Sequence, residues 1–374
     1  MTVGRWLTLV IALLLPCLIA SAGVASPAST REWPLALLGT GGDWGMLLYR
    51  AATATRSVPF TGEAIWITWF AGQSHVMTSS VKNDPAGELE LRPQDGKVVR
   101  IGEDRGALVD SGASWFLSLP TDDAEDPRES FAALEAKYQV HVDSPERIMD
   151  RPCARLEIRR RGDGSLRERL WIDEGTGLLV RRETYDGGPE PVRLAAYLSL
   201  DLGPADGAGQ PAQPTLTAAR SPLRRQDASE IDETGLEALR GAGWVVPEEL
   251  PGGYEATGVY AVTSDEAQPL QITYSDGLYT VSLFQQPGTL DRTSLRPGAE
   301  PLADLGFQAY HWPGSVPAAY VWEAAGHTYS IVGDAPSGDL HAIAHALPQP
   351  RPPSFGERLG RGLSRLWSWV SPWR

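Results

Sequence analysis

The chain has 374 residues, and its 33 Lys and Arg stand against 47 Asp and Glu, so the formal net charge is −14. This length is enough for about two globular domains of roughly 100–200 residues each. The 42% share of apolar residues is typical of packed cores. The acidic balance argues against nucleic acid as a partner, because contacts to phosphates need clustered Lys and Arg.

The N-terminus has the pattern of a secretory signal. Arg5 precedes an apolar run from Leu7 to Ala20, and small residues follow up to Ala25. This order of regions predicts export, with residues 1–25 as the signal peptide. An uncleaved anchor is the alternative, since a membrane span takes about 20 mostly apolar residues. We therefore expect an extracytoplasmic protein, in the periplasm or at the outer face of the cell membrane.

The first half of the chain predicts a long sheet with few helices. A helix over Asp43–Thr55 and another over Pro127–Lys137 accompany nine strand-like segments. These segments are 60–70, 75–82, 87–91, 107–109, 114–117, 153–160, 166–173, 178–185 and 192–200. Long strands joined by turns predict an antiparallel sheet, and two helices cannot cover both of its faces. We predict a strongly curved, half-open barrel over residues 40–202, with helices against its concave side.

A linker and a second domain follow. Residues 203–226 hold four Pro and three Gly without apolar periodicity, which is typical of a linker, and we place the linker at 203–235. Beyond it, strand-like segments at 254–262, 270–274, 278–285, 308–312, 319–323 and 328–332 precede a helix over Asp339–Leu347. The prediction for residues 236–348 is a smaller α+β domain.

The C-terminal tail is basic, unlike the rest of the chain. Ser354 and Glu357 have the spacing of a capping box, which predicts a helix over 354–374. Its apolar residues form a stripe, and its arginines lie on another face. A basic amphipathic helix is typical of segments that lie on an anionic membrane surface; docking on the protein's own core is the alternative. The membrane-surface candidates are Arg358, Arg361, Arg365, Trp367, Trp369 and Trp373.

The enzyme signatures sought in the chain are incomplete. The S-x-x-K string at Ser79–Lys82 lacks the K-T-G that its chemistry requires. His341 and His345 are one helical turn apart, but no adjacent carboxylate base accompanies them. Cys153 would be the one cysteine left after signal removal, so an internal disulfide is excluded. We predict a protein that is not an enzyme and uses no metal or cofactor.

Aromatic residues on the predicted strands of the first domain point to binding instead. A curved sheet that carries these residues could line an apolar cleft that binds an acyl chain. Packing in the core explains the same residues without any ligand, so both interpretations stay open. The cleft candidates are Trp66, Trp69, Phe70, Trp115, Phe116 and Trp171.

Several strings in their order and spacing resemble a known family. They are VPFTG at 58–62, IMDRPC at 148–153, LWID at 170–173, TGLLVRR at 176–182 and YDGG at 185–188. Together they resemble the N-terminal domain of the MucB/RseB family of sigma-factor regulatory proteins. LPGGY at 250–254 and YSDGL at 274–278 resemble the start and the central hairpin of the family's C-terminal domain. The chain departs from the family at Leu179, where the family has Pro, and in its Arg-rich tail.

The resemblance implies a fold and a function. The fold is a half-barrel like that of the lipoprotein carriers (LolA/LppX-like), followed by a smaller α+β domain. In that family the protein binds the extracytoplasmic part of a membrane-anchored anti-sigma factor, shields it from proteolysis, and releases it when a lipidic envelope-stress signal occupies the cleft. The expected partner is therefore an anti-sigma factor, with a lipid or lipoprotein acyl chain as ligand. The partner-binding candidates are Tyr274, Asp276, Leu278 and Tyr279.

Two other functions stay open at this stage. A lipid or lipoprotein carrier would use the same half-barrel without a signalling partner, but it would need only the first domain. A hydrolase of another type would require a compact polar constellation, which the sequence does not display. The second domain therefore favours the regulator.

Overall fold

The computed structural model describes residues 44–70, 72–83, 89–93, 99–101, 131–203, 228–262, 269–315 and 317–350. The predicted signal, the predicted tail helix and the strands predicted at 107–109 and 114–117 lie outside these residues. Within them, no helix is both long and apolar enough to cross a membrane.

The first unit, residues 44–203, is an open antiparallel sheet with two helices. Its nine strands follow the order β4-β3-β2-β1-β9-β8-β7-β6-β5, and β4 and β5 do not pair in the described part of the chain. The open antiparallel sheet and the scarcity of helices confirm the predicted α+β class. The elements are α1 Trp44–Ser57, β1 Phe60–Phe70, β2 Gln73–Asn83, β3 Leu89–Pro93, β4 Val99–Ile101, α2 Ala132–Lys137, β5 Tyr138–Ile148, β6 Arg151–Arg160, β7 Leu166–Asp173, β8 Leu179–Tyr185 and β9 Pro191–Leu202.

Helix α1 covers one face of this sheet. Leu47, Leu48, Ala51 and Ala54 recur at helical spacing and are buried in the core. The sheet face below the helix includes Trp66, which belongs to the same apolar cluster. Burial of a large apolar side chain contributes roughly 1.5–3 kcal/mol, so this stripe holds the helix to the sheet.

The opposite face of the first sheet is a ladder of ion pairs. Glu157 accepts hydrogen bonds from Arg169 at 2.8 Å and from Arg159 at 2.8 Å, and Asp143 pairs with Arg155 at 3.1 Å. Neighbouring residues on a strand point to opposite faces, so charged residues here alternate with core residues. This alternation explains how strands rich in Arg form the middle of the sheet.

Strand β5 is an edge strand that sequence analysis did not predict. It begins directly after α2, because Tyr138 ends the helix and is the first residue of the strand. Most of its side chains are exposed or half-buried. An edge strand needs few apolar residues, and Pro145 and the irregular register between Asp143 and Glu146 hide the alternation that identifies strands.

The second unit, residues 228–350, is another antiparallel sheet with short helices. The main path of its nine strands is β10-β12-β13-β14-β18-β17-β16-β15, with β11 paired to β12. The elements are β10 Ala228–Glu230, α3 Glu233–Gly241, β11 Glu249–Leu250, β12 Tyr254–Val262, β13 Leu270–Ser275, β14 Thr280–Pro287, a 3-10 helix Arg292–Ser294, β15 Glu300–Pro301, a second 3-10 helix Ala303–Leu305, β16 Ala309–His311, β17 Ala318–Ala324, β18 His327–Gly333 and α4 Ser337–Ala346.

Aromatic packing forms the centre of the second unit. Trp322 is fully buried and stacks on Tyr329 with ring centroids 5.7 Å apart, and its indole N–H donates to the Pro348 carbonyl at 2.8 Å. Helix α4 adds Leu340 and Ile343 to the same core. Strand β10 and the start of α3 lie within the segment predicted to be a linker, and the proposed domain boundary at 203–235 stays a prediction.

The two units pack closely against each other. One apolar cluster contains residues from both sheets. At Gly277, in the turn between β13 and β14, φ is +89° and a Cβ atom would fall on the backbone of Ala133 and Leu134 in the first unit. Only glycine fits this position, because the turn needs a left-handed conformation and backbone approaches backbone.

We expect the Gly277→Ala variant to lose more stability than a matched glycine variant. Gly326 also has a positive φ of +79°, but nothing lies within 4 Å of its Cβ position. Gly326→Ala should therefore cost about 1–2 kcal/mol for the left-handed backbone alone, and Gly277→Ala more than that, because the two units must also move apart. Denaturant unfolding of both variants measures the difference. Equal losses would contradict tight packing between the units.

Candidate functional site

Charged and aromatic side chains from both units meet at the contact between the two units. We call this contact the joint. Its ionic end comprises Tyr138, Arg160, Arg167, Asp186, Tyr254, Asp276 and Asp339. Its histidine end comprises Phe70, His75, His311, Tyr320 and His341. The core of the joint between them comprises Glu168, Arg182, Arg193, Tyr279 and Asp334.

Asp339 is the centre of the ionic end. It lies in the first turn of α4 and accepts hydrogen bonds from Arg160 at 3.1 Å, from Arg167, and from the Tyr254 hydroxyl at 3.0 Å. The two arginines flank the β6–β7 turn of the first unit. The Arg167 side chain is only 4% exposed and that of Asp339 11%. Each charge has lost most of its contact with water and is stabilised by the other instead.

Asp276 forms a second polar contact between the units. Its carboxylate accepts a hydrogen bond from the Tyr138 hydroxyl, and from the backbone N–H groups of Leu278 at 2.9 Å and Tyr279 at 2.8 Å. Burial raises the pKa of Asp276, against the hydrogen bonds that favour its charged form. Burial and the nearby Asp276 together hold the pKa of Tyr138 well above its ordinary value. Tyr138 is therefore neutral at physiological pH and acts as a donor.

Charges also lie in the core of the joint. Arg182 and Glu168 are both fully buried and pair at 3.0 Å, and Thr184 donates to Glu168 at 2.9 Å. Arg193 donates to the backbone carbonyl of Asp334 in the second unit. Burial raises the pKa of Asp334, while Arg182 and Arg193 act to lower it.

The first unit also caps a helix of the second. Residue Pro336 precedes α4 and offers no side-chain cap. Asp186 supplies it instead, accepting from the Gly338 N–H at 2.9 Å and the Ser337 hydroxyl at 3.2 Å. A carboxylate at a helix N-terminus interacts favourably with the helix dipole. Asp186 lies in the YDGG string, so the string has a structural role at the joint.

Rings from both units meet at the histidine end. Phe70 and His311 have centroids 4.9 Å apart, and Tyr320 lies 6.3 Å from His311 and 5.5 Å from His341. A Cβ atom at Gly314 would fall 2.6 Å from the His75 side chain. Burial lowers the pKa of both His311 and His341, so these two histidines favour the neutral form.

An open cleft lies beside these rings, between the units. The cavity within it is small, about 50 Å³, and it is open to solvent. Trp69 and Phe70 line it from the first unit, and His311, Trp312 and Tyr320 from the second. The lining mixes aromatic rings with small residues and Arg193, and such a surface can contact part of an apolar or amphiphilic ligand.

The structure separates the aromatic residues predicted to form a cleft. Trp69 and Phe70 line the cleft between the units. Trp66 is buried, and the strand register from β1 through β9 and β8 to β7 aligns it with Leu170, so these two side chains lie on the same face of the sheet. Trp171 is the next residue and faces the other side, where its indole donates to Glu146 at 2.8 Å and Arg181 stacks on its ring. The six candidates therefore do not form one surface; Trp115 and Phe116 lie outside the described residues, as do Arg358, Arg361, Arg365, Trp367, Trp369 and Trp373.

The predicted partner-binding hairpin lies at the joint. Tyr274, Asp276, Leu278 and Tyr279 are all buried. Asp276 binds Tyr138, and the Tyr279 hydroxyl donates to the Arg167 carbonyl at 3.2 Å. The Tyr274 hydroxyl donates to the Pro247 carbonyl at 3.0 Å. In this structure the hairpin contacts its own chain, and its role toward a partner protein stays a prediction.

Arg167, Arg182, Asp186 and Asp339 were not among the site residues predicted from the sequence. One signal was available, because Glu168 and Arg182 interrupt the apolar face of two strands that otherwise alternate well. Charged residues at such positions need partners, although their identity depends on the tertiary fold. Across the described residues, no group of three or more His, Cys, Asp or Glu side chains is placed to hold a metal ion.

Comparisons with known proteins bear on the first unit most directly. The family model described as the MucB/RseB N-terminal domain matches residues 116–224. Among curated proteins, none matches the chain. The crystal structure of MucB in complex with MucA(peri) is 18% identical, with a TM-score of 0.45, over 83% of this chain and all of that one. The Pseudomonas aeruginosa MucA/MucB complex has 18% identity and a TM-score of 0.42, over 83% and 99%. The Mycobacterium tuberculosis lipoprotein LppX has 12% identity and a TM-score of 0.22, over 42% and 92%.

The fold defines a two-unit α+β protein built from open antiparallel sheets that meet at a buried polar joint. The family match gives this class a more specific identity. Residues 116–224 match the model of the MucB/RseB N-terminal domain, and the resemblance of the sequence strings within that segment is confirmed.

We expect Asp339→Ala to destabilise the protein by about 3–5 kcal/mol, because it removes the nearest carboxylate from the buried Arg167 cation and leaves only Asp186, 3.9 Å away. Glu233 provides the matched control, since it is an exposed acid in the first turn of another helix, 3.9 Å from Arg240. Glu233→Ala should change stability by no more than about 0.5 kcal/mol. Thermal and denaturant unfolding measure both. A loss for Asp339→Ala as small as the control's would show that the ionic end contributes little.

Proposed function

We propose that the chain is an extracytoplasmic regulator that binds a membrane-anchored anti-sigma factor and modulates its proteolysis in response to an envelope-stress amphiphile. The observation that carries this proposal is the match of residues 116–224 to the MucB/RseB N-terminal domain. The related complexes of MucB with MucA supply the example of a partner. The signal pattern of residues 1–25 supports export.

The joint offers a physical route from ligand to partner in this proposal. The cleft is lined from both units, so an acyl chain that lies in it beside the packed Phe70 and His311 rings would contact both units at once. A ligand changes the arrangement of two units only to the extent that it binds one arrangement better than the other. We propose that the partner binds the arrangement with the joint closed, and that the amphiphile favours an arrangement with the histidine end separated.

Such a coupling must be reciprocal. If the amphiphile weakens partner binding by a given factor, the partner weakens amphiphile binding by the same factor. The buried hairpin residues Tyr274, Asp276, Leu278 and Tyr279 would then affect the partner by setting the geometry of the joint. Direct contact between these residues and the partner would require the joint to open first, because they are buried.

A lipid or lipoprotein carrier is the second candidate, on the basis of the same cleft. A carrier needs only a sheet with a cavity, whereas this chain connects its two units through Asp339, Asp276 and Asp186. Maintaining buried charges between units has a desolvation cost. A function that requires the second unit explains that cost better, and this favours the regulator.

The tail supports a further part of the proposal. We propose that residues 354–374 form a basic amphipathic helix that holds the regulator at an anionic membrane surface, near a membrane-anchored partner. The support is the separation of Arg358, Arg361 and Arg365 from the apolar stripe in sequence.

Affinity purification from cell membranes tests partner binding. The tagged exported protein should recover a single-span membrane protein that has a cytoplasmic sigma-binding domain. The Asp339→Ala variant should recover less of it and Glu233→Ala an unchanged amount, because only the first variant alters the joint. Mass spectrometry of proteins and lipids identifies what is bound. Recovery of lipid or lipoprotein alone would replace the regulator by the carrier.

Vesicle sedimentation tests the tail. A variant with Arg358, Arg361 and Arg365 all changed to Gln keeps the length and the apolar stripe. Each basic residue near an anionic surface contributes about 1 kcal/mol, so the triple variant should bind anionic vesicles roughly a hundredfold more weakly. Neutral phosphatidylcholine vesicles are the control. Equal binding of both proteins to anionic vesicles would contradict electrostatic anchoring by the tail.

A further inference from the structure

Three of the six histidines in the chain lie at one end of the joint. His75 is on β2 of the first unit, His311 ends β16 of the second, and His341 is on α4. The first and second come from different units, and Tyr320 lies between the second and third. Neither the family match nor the proposed function assigns a proton-binding role to these histidines.

The contacts show that the histidine end holds the units together by packing of rings. His311 packs on Phe70 with centroids 4.9 Å apart and is 6% exposed. His75 meets Gly314 from the other unit, where no side chain would fit. Ring packing of this kind suits a neutral imidazole, because a cation placed there loses water without gaining a carboxylate contact.

His341, on α4 of the second unit, is half-buried, and the Nε2 atom of its ring is buried. Its Nε2 atom has no hydrogen-bond partner among the described residues. Its ring faces Tyr320 at 5.5 Å. A protonated imidazole has two N–H donors to satisfy, so protonation of His341 in the closed joint would leave a buried charged donor unpaired.

The charges around these two rings come from several elements. Glu300 on β15 and Asp304 on the second 3-10 helix act on His311 and favour its charged form, whereas His75 and His341 oppose it. Asp304 and Asp186 likewise favour the charged form of His341, whereas His345 disfavours it. Arg193, a cation, lines the adjacent cleft. The nearby acids are outweighed by burial, which is the largest influence on both rings.

We propose that acid opens the contact between the two units at the histidine end. Protonation of His311 and His341 separates the units there and widens the cleft between Phe70 and Tyr320. The proposal concerns the chain alone and does not depend on an anti-sigma partner. It goes beyond the proposed function because it makes pH a signal that acts on the joint without an amphiphile.

The sign of the effect follows from the direction of the pKa changes. Burial lowers the pKa of His311 and His341 in the closed joint, and separation would return both toward the ordinary value of about 6.5. The open arrangement therefore binds more protons, and acid favours it as the pH falls below that ordinary value. At neutral pH most of the rings are uncharged in either arrangement, so protonation does little to open the joint.

The ionic end responds in the opposite sense. Burial raises the pKa of Asp276 in the closed joint, so acid stabilises the closed arrangement there. The Asp339 contacts to Arg160 and Arg167 also lie at this end. Mild acid should therefore separate the units at the histidine end while their contact at the ionic end stays closed. The second unit should then rotate about the ionic end.

Energy transfer between two dyes measures the separation. Val76 on β2 is 59% exposed and Thr293 in the second unit is exposed, so cysteines at these positions accept labels, while the fully buried Cys153 does not. Between pH 7.5 and 5.0 we expect the dyes to move apart. The ratio of open to closed molecules should rise by up to about tenfold per pH unit for each proton taken up, and so up to about a hundredfold for two.

Variants identify the responsible groups. The double variant His311→Phe, His341→Phe keeps the rings but cannot titrate, and should show no change in dye distance with pH. His311→Phe alone should halve the slope of the logarithm of the open-to-closed ratio against pH. This single variant tests the proposal even if the double variant does not fold. His141→Gln, at an exposed histidine on β5, should behave as the unmodified chain does. A constant distance in the unmodified chain, or an equal pH response in His311→Phe, would overturn the proposal.

Discussion

The carboxylate of Asp339 is the charged centre of the contact between the two sheets. It receives hydrogen bonds from Arg160 and Arg167 of the first unit and from Tyr254 of its own. Buried ions need partners of opposite charge, and here each unit supplies what the other lacks. Asp186 of the first unit likewise caps helix α4 of the second. The geometry of the joint therefore depends on groups that neither unit could satisfy alone, which makes it a place where a ligand or partner can act on both.

The strands were largely predictable because each element obeys a local rule. The predicted ends of β1 and β7 agree with the structure, since turn residues bound both segments. Strand β5 was missed because an exposed edge strand containing Pro145 has no clear alternation. The open antiparallel class followed from long strands and few helices, and it is confirmed.

The site was harder to predict, because it depends on the tertiary fold. Trp66 and Trp171 look alike in the sequence, but strand register places them on opposite faces. Asp276 was a partner-binding candidate in the YSDGL hairpin, and the structure buries it. Its contact with Tyr138 joins residues that are 138 positions apart, and no local pattern reports such a contact. The same limit applies to Asp339 and its two arginines.

Hydrogen exchange at the joint tests most directly whether regulation acts through it. The reporter amides are Gly338, which donates to Asp186, and Leu278, which donates to Asp276. Exchange would be followed while an amphiphile displaces the bound partner from the exported protein. The account predicts that segments 276–280 and 336–340 change protection in step with release of the partner, with the rest of both sheets unchanged. Release of the partner while both segments keep their protection would contradict it.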